Sequence, residues 1–99
     1  MTDPRLLTLS TPCLLVEKAK MKRNIERLST KAAMMNVSLR PHLKTTKSIE
    51  AARYVLVNGD GPATVSTLAA AEVFASAGIP DILYAVGIPA PTLDRVIVL

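Results

Sequence analysis

The sequence has 99 residues, of which 49% are hydrophobic and 20% are charged, so it is typical of one small globular domain and excludes a disordered chain. Its net charge of +4 fits a nucleic-acid binder, but only 3% of the residues are aromatic, and none interleaves with the basic residues as a base-stacking surface requires. The single cysteine, Cys13, excludes an internal disulfide, and no signal peptide is recognised, so we expect a cytoplasmic protein. No apolar run reaches the about 20 residues that a membrane helix needs. We therefore expect neither a membrane partner nor, given the few aromatic residues, a nucleic-acid partner.

Hydrophobic periodicity predicts a first strand and a first helix. A short apolar run at residues 13–16 is typical of a strand. Four apolar residues then recur at helical spacing: Met21, Ile25, Leu28 and Ala32. We therefore predict a helix over about residues 19–34, with this apolar stripe packed inward and the basic residues on a solvated face.

The remaining elements continue the alternation. They are a strand at residues 37–44, a helix at 48–56, a strand at 63–66, a helix at 68–77, a strand at 82–86 and a helix at 93–99. Because Pro41 cannot donate a ladder hydrogen bond, we expect a bulge or a local end of pairing within the strand at 37–44. Ser48 is a helix-capping residue, while Asn58, Gly59 and Gly78 tolerate the positive φ at which many helices end. Because residues 82–86 are apolar throughout, we expect that strand to be buried on both faces.

Strands that alternate with helices at this spacing predict parallel βα units and an α/β fold. An open doubly wound sheet and an eightfold TIM barrel both accommodate such units. A complete barrel takes about 250 residues, so the chain would form its first three to four βα units. The edge strands of such a partial barrel would be bare, which favours association into a homo-oligomer.

Three polar residues on the second predicted strand are the candidates for chemistry. Side chains alternate along a strand, so Arg40, His42 and Lys44 share one face. Burying all three is costly without partners, and Lys44 lies at the carboxyl end of the strand, where parallel barrels place active sites. A desolvated lysine beside positive charge is a nucleophilic amine suited to Schiff-base formation. The pattern alone leaves open that this face is solvated and that the three are ordinary surface charges.

A family resemblance covers nearly the whole chain. Residues 39–47, Leu-Arg-Pro-His-Leu-Lys-Thr-Thr-Lys, resemble the lysine motif Arg-Pro-His-x-Lys-Thr-x-Lys of the fold-type III pyridoxal-phosphate enzymes, in the branch of D-threonine aldolase and the D-serine dehydratase-like proteins. Residues 11–16 with 23–25 are similar to the opening strand and helix of that family, and residues 64–72 and 81–87 to its third and fourth units. Thr46 departs from the histidine that many members have there.

The resemblance implies a fold, a cofactor and roles for particular residues. Residues 1–99 would be the N-terminal part of an alanine-racemase-type barrel, with the C-terminal barrel half and the β domain absent. Lys44 would be the catalytic lysine that binds pyridoxal phosphate, and His42 and Arg40 would be cofactor-binding residues. A divalent metal is expected only in a full-length parent, because Cys13 and His42 have the wrong position and spacing for the family's metal ligands.

The function that the resemblance implies is that of a lyase acting on D-β-hydroxy amino acids, of the D-threonine aldolase or D-serine dehydratase type, through a Lys44 aldimine. The 99 residues are expected to be inactive by themselves. Two alternatives stay open, a pyridoxal-phosphate-dependent amino-acid racemase and a truncated product without enzymatic activity. A small basic nucleic-acid binder is a third hypothesis, which steeply salt-dependent DNA binding would support.

Overall fold

The computed structural model describes residues 3–45 and 47–99. Within these ranges the elements in chain order are a 3-10 helix Pro4–Thr8, α1 Lys18–Met34, α2 Ile49–Val55, a 3-10 turn Val57–Gly59, β1 Ala63–Val65, α3 Leu68–Ser76, β2 Ile82–Tyr84, a 3-10 turn Ala90–Thr92 and α4 Leu93–Ile97. The predicted α/β class is confirmed, since helices and parallel strands alternate from α2 onward. Within the same ranges, none of the helices combines the length and the apolar character needed to cross a bilayer.

The sheet among the described residues is small and open. β1 pairs in parallel with β2, in the register Ala63↔Ile82, Thr64↔Leu83 and Val65↔Tyr84. The segment before α2 joins the other edge of β1 through a single parallel bridge between His42 and Thr64. Its backbone hydrogen bonds run from Thr64 N to Pro41 O at 2.8 Å and from Leu43 N to Thr64 O at 2.9 Å. This order of neighbours is compatible with consecutive βα units of a barrel.

Two predicted strands are corrected by the structure. Residues 37–44 contribute only the His42 bridge, because Pro41 has no amide hydrogen with which to continue a ladder. Residues 13–16 form no strand, and Leu14 there is 98% exposed. A strand needs a neighbour for its backbone groups, and the described residues provide none beside this run.

The core lies between β1 and the helices on either side of it in the chain. Its buried members are Leu43, Ala52, Leu56, Ala63, Val65, Ala71, Phe74 and Ile79. Only one face of β2 joins this core, because Ile82 and Tyr84 are half-buried whereas Leu83 is 51% exposed. The expectation that this strand is buried on both faces is therefore wrong: α3 covers one face and no described element covers the other.

The ends of α2 and α3 follow the local sequence signals. Ser48 Oγ accepts a hydrogen bond from Ala51 N at 3.3 Å and caps α2, as predicted. Asn58 and Gly78 adopt φ values of 55° and 90°, in the left-handed region that a chain enters as it leaves a helix. Residues close in sequence therefore determine where these two helices begin and end, and so also where the loops before them end.

α1 packs less tightly than its apolar stripe predicts. Ala32 is buried and Met21 and Ile25 are half-buried, but Leu28 is 52% exposed, so the apolar stripe is covered only in part. Contact with α2 includes the ring of Tyr54, with the ammonium groups of Lys18 and Lys22 lying 5.2 and 5.3 Å from its centroid. Cations over an aromatic face are attracted to it, so part of the basic face is used to hold α1 against α2.

Candidate functional site

Lys44 lies at the carboxyl end of the segment that bridges to β1. Along this segment Leu43 is buried and Leu39 and Pro41 are half-buried, while the intervening Arg40 and His42 are exposed, as is Lys44. The predicted alternation of faces is thus confirmed. The polar face points to the open side of the small sheet, where the described residues do not enclose it.

A tight turn holds Lys44 between this segment and α2. Lys47 N donates a hydrogen bond to Leu43 O at 3.2 Å, and Lys47 adopts a φ of 45°. Ser48 then begins the next helix as its cap. The backbone on both sides of Lys44 is therefore anchored, by buried Leu43 before it and by capped α2 after it. Thr46, the departure from the family motif, lies outside the described residues.

A cavity of about 240 Å³ opens beside Lys44. The residues that line it include Leu43, Lys44, Lys47, Val65, Ser66 and Thr67. They come from the carboxyl ends of two neighbouring parallel segments, and open α/β sheets and barrels bind ligands at that edge. A second cavity, of about 280 Å³, lies against α3, β2 and α4 and is lined mainly by apolar side chains. Of these two cavities, only the one beside Lys44 has lysine side chains, Lys44 and Lys47, in its lining.

The amine of Lys44 has no hydrogen-bond or ion-pair partner within residues 3–45 and 47–99. A primary amine at the rim of a cavity is the group that condenses with an aldehyde. The same ranges contain no cluster of three His, Cys, Asp or Glu side chains arranged to hold a metal ion. The cavity thus offers an amine, together with the hydroxyl groups of Ser66 and Thr67.

His42 is fixed against the backbone of Lys44. Lys44 N donates a hydrogen bond to His42 Nδ1 at 3.1 Å. Nδ1 is the acceptor in this bond, so Nε2 is the ring nitrogen that remains for another contact. His42 Nδ1 thereby stabilises the turn that presents Lys44.

Arg40 lies at the opposite end of the segment from Lys44. Its Nη1 and Nη2 donate to Asp81 Oδ1 and Oδ2 at 2.8 and 3.0 Å, and Nη1 also donates to Ala63 O at 3.1 Å. The hydrogen bonds raise the pKa of Arg40 and lower the pKa of Asp81. Ala63 begins β1 and Asp81 immediately precedes β2, so Arg40 binds at the amino edge of the sheet.

Sequence reasoning missed the role of Asp81. The sequence places Asp81 at the start of the fourth unit, but nothing in a carboxylate there identifies a partner 41 residues earlier. One usable signal is present, because Asp81 immediately precedes an apolar strand that runs parallel to the segment bearing Arg40. Parallel strands bring such positions to one edge of a sheet.

Known proteins resemble the chain in sequence, although no protein-family model matches it. It is 47% identical over 81 residues to D-threo-3-hydroxyaspartate dehydratase of Delftia sp. (strain HT23), an alignment that covers 82% of this chain and 21% of the relative. It is 38% identical over 82 residues to D-serine dehydratase of Dictyostelium discoideum, covering 78% of this chain and 20% of the relative. The chain thus spans about a fifth of the length of these curated relatives.

Solved structures resemble the chain in fold. An alanine-racemase-like protein of Idiomarina loihiensis superposes with a TM-score of 0.86 at 48% identity, over 94% of this chain and 25% of that protein. The Delftia D-threo-3-hydroxyaspartate dehydratase superposes with a TM-score of 0.84 at 42% identity, over 93% of this chain and 24% of that one. A variant of the latter enzyme is described in a metal-free form, with the same scores. The two curated relatives are dehydratases and hence enzymes, so the expectation of an enzyme family is confirmed.

Proposed function

We propose that the chain is the lysine-bearing part of a dehydratase acting on D-β-hydroxy amino acids. Its homology to the two dehydratases supports this proposal and is consistent with the fold-type III pyridoxal-phosphate enzymes. D-threo-3-hydroxyaspartate is the first substrate to test and D-serine the second, since relatives 47% and 38% identical are named for them. D-threonine aldolase chemistry becomes the less favoured lyase reaction, because neither relative is named for it.

The observation that carries the proposal is the position of Lys44 in the lining of the carboxyl-edge cavity, with no ion-pair partner for its amine among residues 3–45 and 47–99. Its chemistry fits an aldehyde cofactor, so Lys44 Nζ would hold pyridoxal phosphate. When bound, that cofactor supplies an electron sink for the α-carbon of an amino acid, which allows the α-proton and then the β-hydroxyl to leave. The products would be an oxo acid and ammonia.

The neighbouring residues would orient Lys44. The hydrogen bonds from Lys44 N to His42 Nδ1 and from Lys47 N to Leu43 O fix the backbone on either side of Lys44. The Lys44 side chain would thereby be directed to the cavity. His42 would also line the site, with Nε2 as the ring nitrogen that remains for another contact. We expect the 99 residues alone to bind the cofactor without turnover, because the described residues place no acidic side chain and no metal-ligand cluster in this cavity. A divalent metal that polarises the leaving hydroxyl would belong to a longer parent.

A racemase is the second candidate, because the protein that superposes with a TM-score of 0.86 is described as alanine-racemase-like. Both reactions begin with removal of the α-proton, so the site geometry serves either. The two differ in product: a dehydratase releases ammonia, whereas a racemase returns the mirror-image amino acid. The same solutions can be assayed for both.

Location and assembly are further proposals. The exposed free thiol of Cys13 supports a reducing, cytoplasmic location. Exposed apolar side chains, among them Leu14 at 98% and Met34 at 83%, support a homo-oligomer, because association would remove apolar surface from water. Sedimentation of the purified chain measures the second proposal directly, and a monomer at all concentrations would contradict it.

The first experiment is cofactor labelling of the chain. Wild type, Lys44→Ala and the matched control Lys47→Ala are incubated with pyridoxal phosphate, reduced with borohydride and mapped by mass spectrometry. We expect the wild type and Lys47→Ala to carry the reduced adduct at residue 44, and Lys44→Ala to lose the specific label. Labelling spread evenly over all lysines, or equal labelling of Lys44→Ala, would overturn the proposed site.

Activity assays then test the substrate. Ammonia and oxo-acid release from D-threo-3-hydroxyaspartate and D-serine are measured alongside inversion of D-alanine. We expect no turnover by the 99 residues. Release of ammonia would show that our expectation of inactivity is wrong, and inversion without ammonia would favour the racemase.

A further inference from the structure

Arg40 joins three consecutive parts of the fold with one side chain. Its guanidinium binds both carboxylate oxygens of Asp81 and the backbone oxygen of Ala63. Arg40 itself precedes the bridging residue His42, Ala63 begins β1, and Asp81 precedes β2. A paired fork of this kind fixes direction as well as distance, because both donors and both acceptors lie in one plane.

The segment that bears Lys44 has few other ties to the sheet. Its two backbone hydrogen bonds with β1 both involve Thr64, whose N donates to Pro41 O and whose O accepts from Leu43 N. Pro41 has no amide hydrogen, so a regular ladder cannot continue toward Arg40. The Arg40 fork supplies the connection that the backbone lacks at this end, while the buried side chain of Leu43 anchors the other.

Arg40 is poorly placed to contact a group held by Lys44. Lys44 lies four positions after Arg40, about 13 Å away along an extended segment. Arg40 binds at the amino edge of the sheet, whereas the cavity beside Lys44 is built from residues 65–67 at the carboxyl edge. Both hydrogen-bonding nitrogens, Nη1 and Nη2, are already engaged by Asp81.

We propose that Arg40 and Asp81 are a positioning pair that fixes the Lys44 segment against β1 and β2, and that Arg40 is not a ligand of the cofactor. This inference rests on the proposed function for its meaning, since it concerns how the cofactor lysine is presented. Loss of the fork allows the segment to slide or tilt relative to β1. Lys44 then spends less time at the cavity rim in the geometry needed for reaction.

The two roles for Arg40 predict opposite effects of changing Asp81. If Arg40 were a ligand of the cofactor phosphate, Asp81 would compete for its guanidinium, and Asp81→Asn would leave binding unchanged or strengthen it. If the pair positions the segment, Asp81→Asn and Arg40→Gln impair the same step. The double variant is then no worse than either single one, because both remove one interaction.

The test compares Arg40→Gln, Asp81→Asn, the double variant and Arg40→Lys in the borohydride labelling of the full chain. We expect the initial rate of labelling at Lys44 to fall about two- to fivefold in both single variants, the scale that a partly exposed ion pair can contribute. Arg40→Lys keeps one charged contact to Asp81 and should recover part of the rate. Mass mapping separates a label on the introduced lysine from that on Lys44.

Arg95 and Glu72 provide a matched control. They form another arginine–carboxylate pair, at 2.7 Å, between side chains 23 residues apart and outside the Lys44 cavity. Arg95→Gln should leave labelling of Lys44 unchanged. A loss in Arg40→Gln with no loss or a gain in Asp81→Asn would overturn the positioning role and support direct contact with the cofactor.

Hydrogen exchange gives a second readout that does not depend on the cofactor. The amide of Leu43, bonded to Thr64 O, should exchange faster in Arg40→Gln and in Asp81→Asn than in wild type, while the amides of α3 stay unchanged. Unchanged exchange at Leu43 in both variants would overturn the proposal. If wild-type Lys44 takes no label, the proposed function fails, and exchange at Leu43 still decides whether the pair positions the segment.

Discussion

The two halves of the chain differ in what their apolar residues achieve. In residues 41–84, Leu43, Val65 and Phe74 are at most 2% exposed, whereas in residues 3–37 Leu14 is 98% and Met34 is 83% exposed. Both halves are rich in such residues, so hydrophobicity alone does not explain the contrast. The second half contains parallel neighbours and helices that cover them, and among the described residues the first half has only α1 against α2. Burial of an apolar residue therefore depends on a neighbouring surface that can cover it as much as on the hydrophobicity of the residue itself.

The largest expected effect comes from removing a core aromatic ring in the packed half. Phe74→Ala should lower the free energy of unfolding by roughly 3–5 kcal/mol, because it removes buried contacts and leaves a cavity. The matched change in the other half, Leu14→Ala, should stay within about 0.5 kcal/mol, as for other exposed positions. Urea unfolding followed by circular dichroism measures both. Equal losses would mean that residues 13–16 are buried in solution and that the contrast is wrong.

A smaller effect is expected at the backbone of the packed half. Gly78 has a φ of 90° with nothing within 4 Å of an added Cβ, so Gly78→Ala tests backbone strain without steric contact. We expect a loss of roughly 1–2 kcal/mol in the free energy of unfolding, the cost of a left-handed conformation for a residue with a Cβ. Gly87, which is equally open and has no positive φ, is the control. Gly87→Ala should be neutral or stabilising, and a similar loss at both glycines would exclude the strain explanation.

The same contrast explains which parts of the fold could be predicted. The helices at Ile49–Val55 and Leu68–Ser76 were predicted closely, since Ser48 and Gly78 are signals read within a few residues of the ends they determine. The strands Ala63–Val65 and Ile82–Tyr84, one after each of these helices, followed from short runs of apolar and β-branched residues. The strand predicted at residues 13–16 is wrong because a strand depends on a neighbouring strand, which is often distant in sequence. Local hydrophobicity carries no information about that neighbour.

The candidate site divides in the same way. The shared face of Arg40, His42 and Lys44 could be predicted because strand alternation is local, and the lysine motif added the expectation of a cofactor. The partners of these side chains could not. The bond from Lys44 N to His42 Nδ1 depends on a turn, and the fork from Arg40 to Asp81 depends on the register of three parallel segments. Geometry of that kind appears only once the chain has folded.

The smallest expected effect concerns how much the Arg40–Asp81 pair contributes to the free energy of unfolding in acid. The hydrogen bond from Arg40 lowers the pKa of Asp81 below its ordinary value of 3.8. A carboxylate with a depressed folded-state pKa contributes stability that is present above its unfolded pKa and is lost as pH falls through the folded one. The difference in unfolding free energy between wild type and Asp81→Asn should therefore be constant from neutral pH to about pH 5 and shrink below pH 3.8. Exposed ion pairs contribute little, so the comparison requires paired urea titrations at each pH, with Asp94→Asn as the control. A difference that persists unchanged at the lowest pH would mean that the Asp81 side chain acts through its shape rather than through its charge.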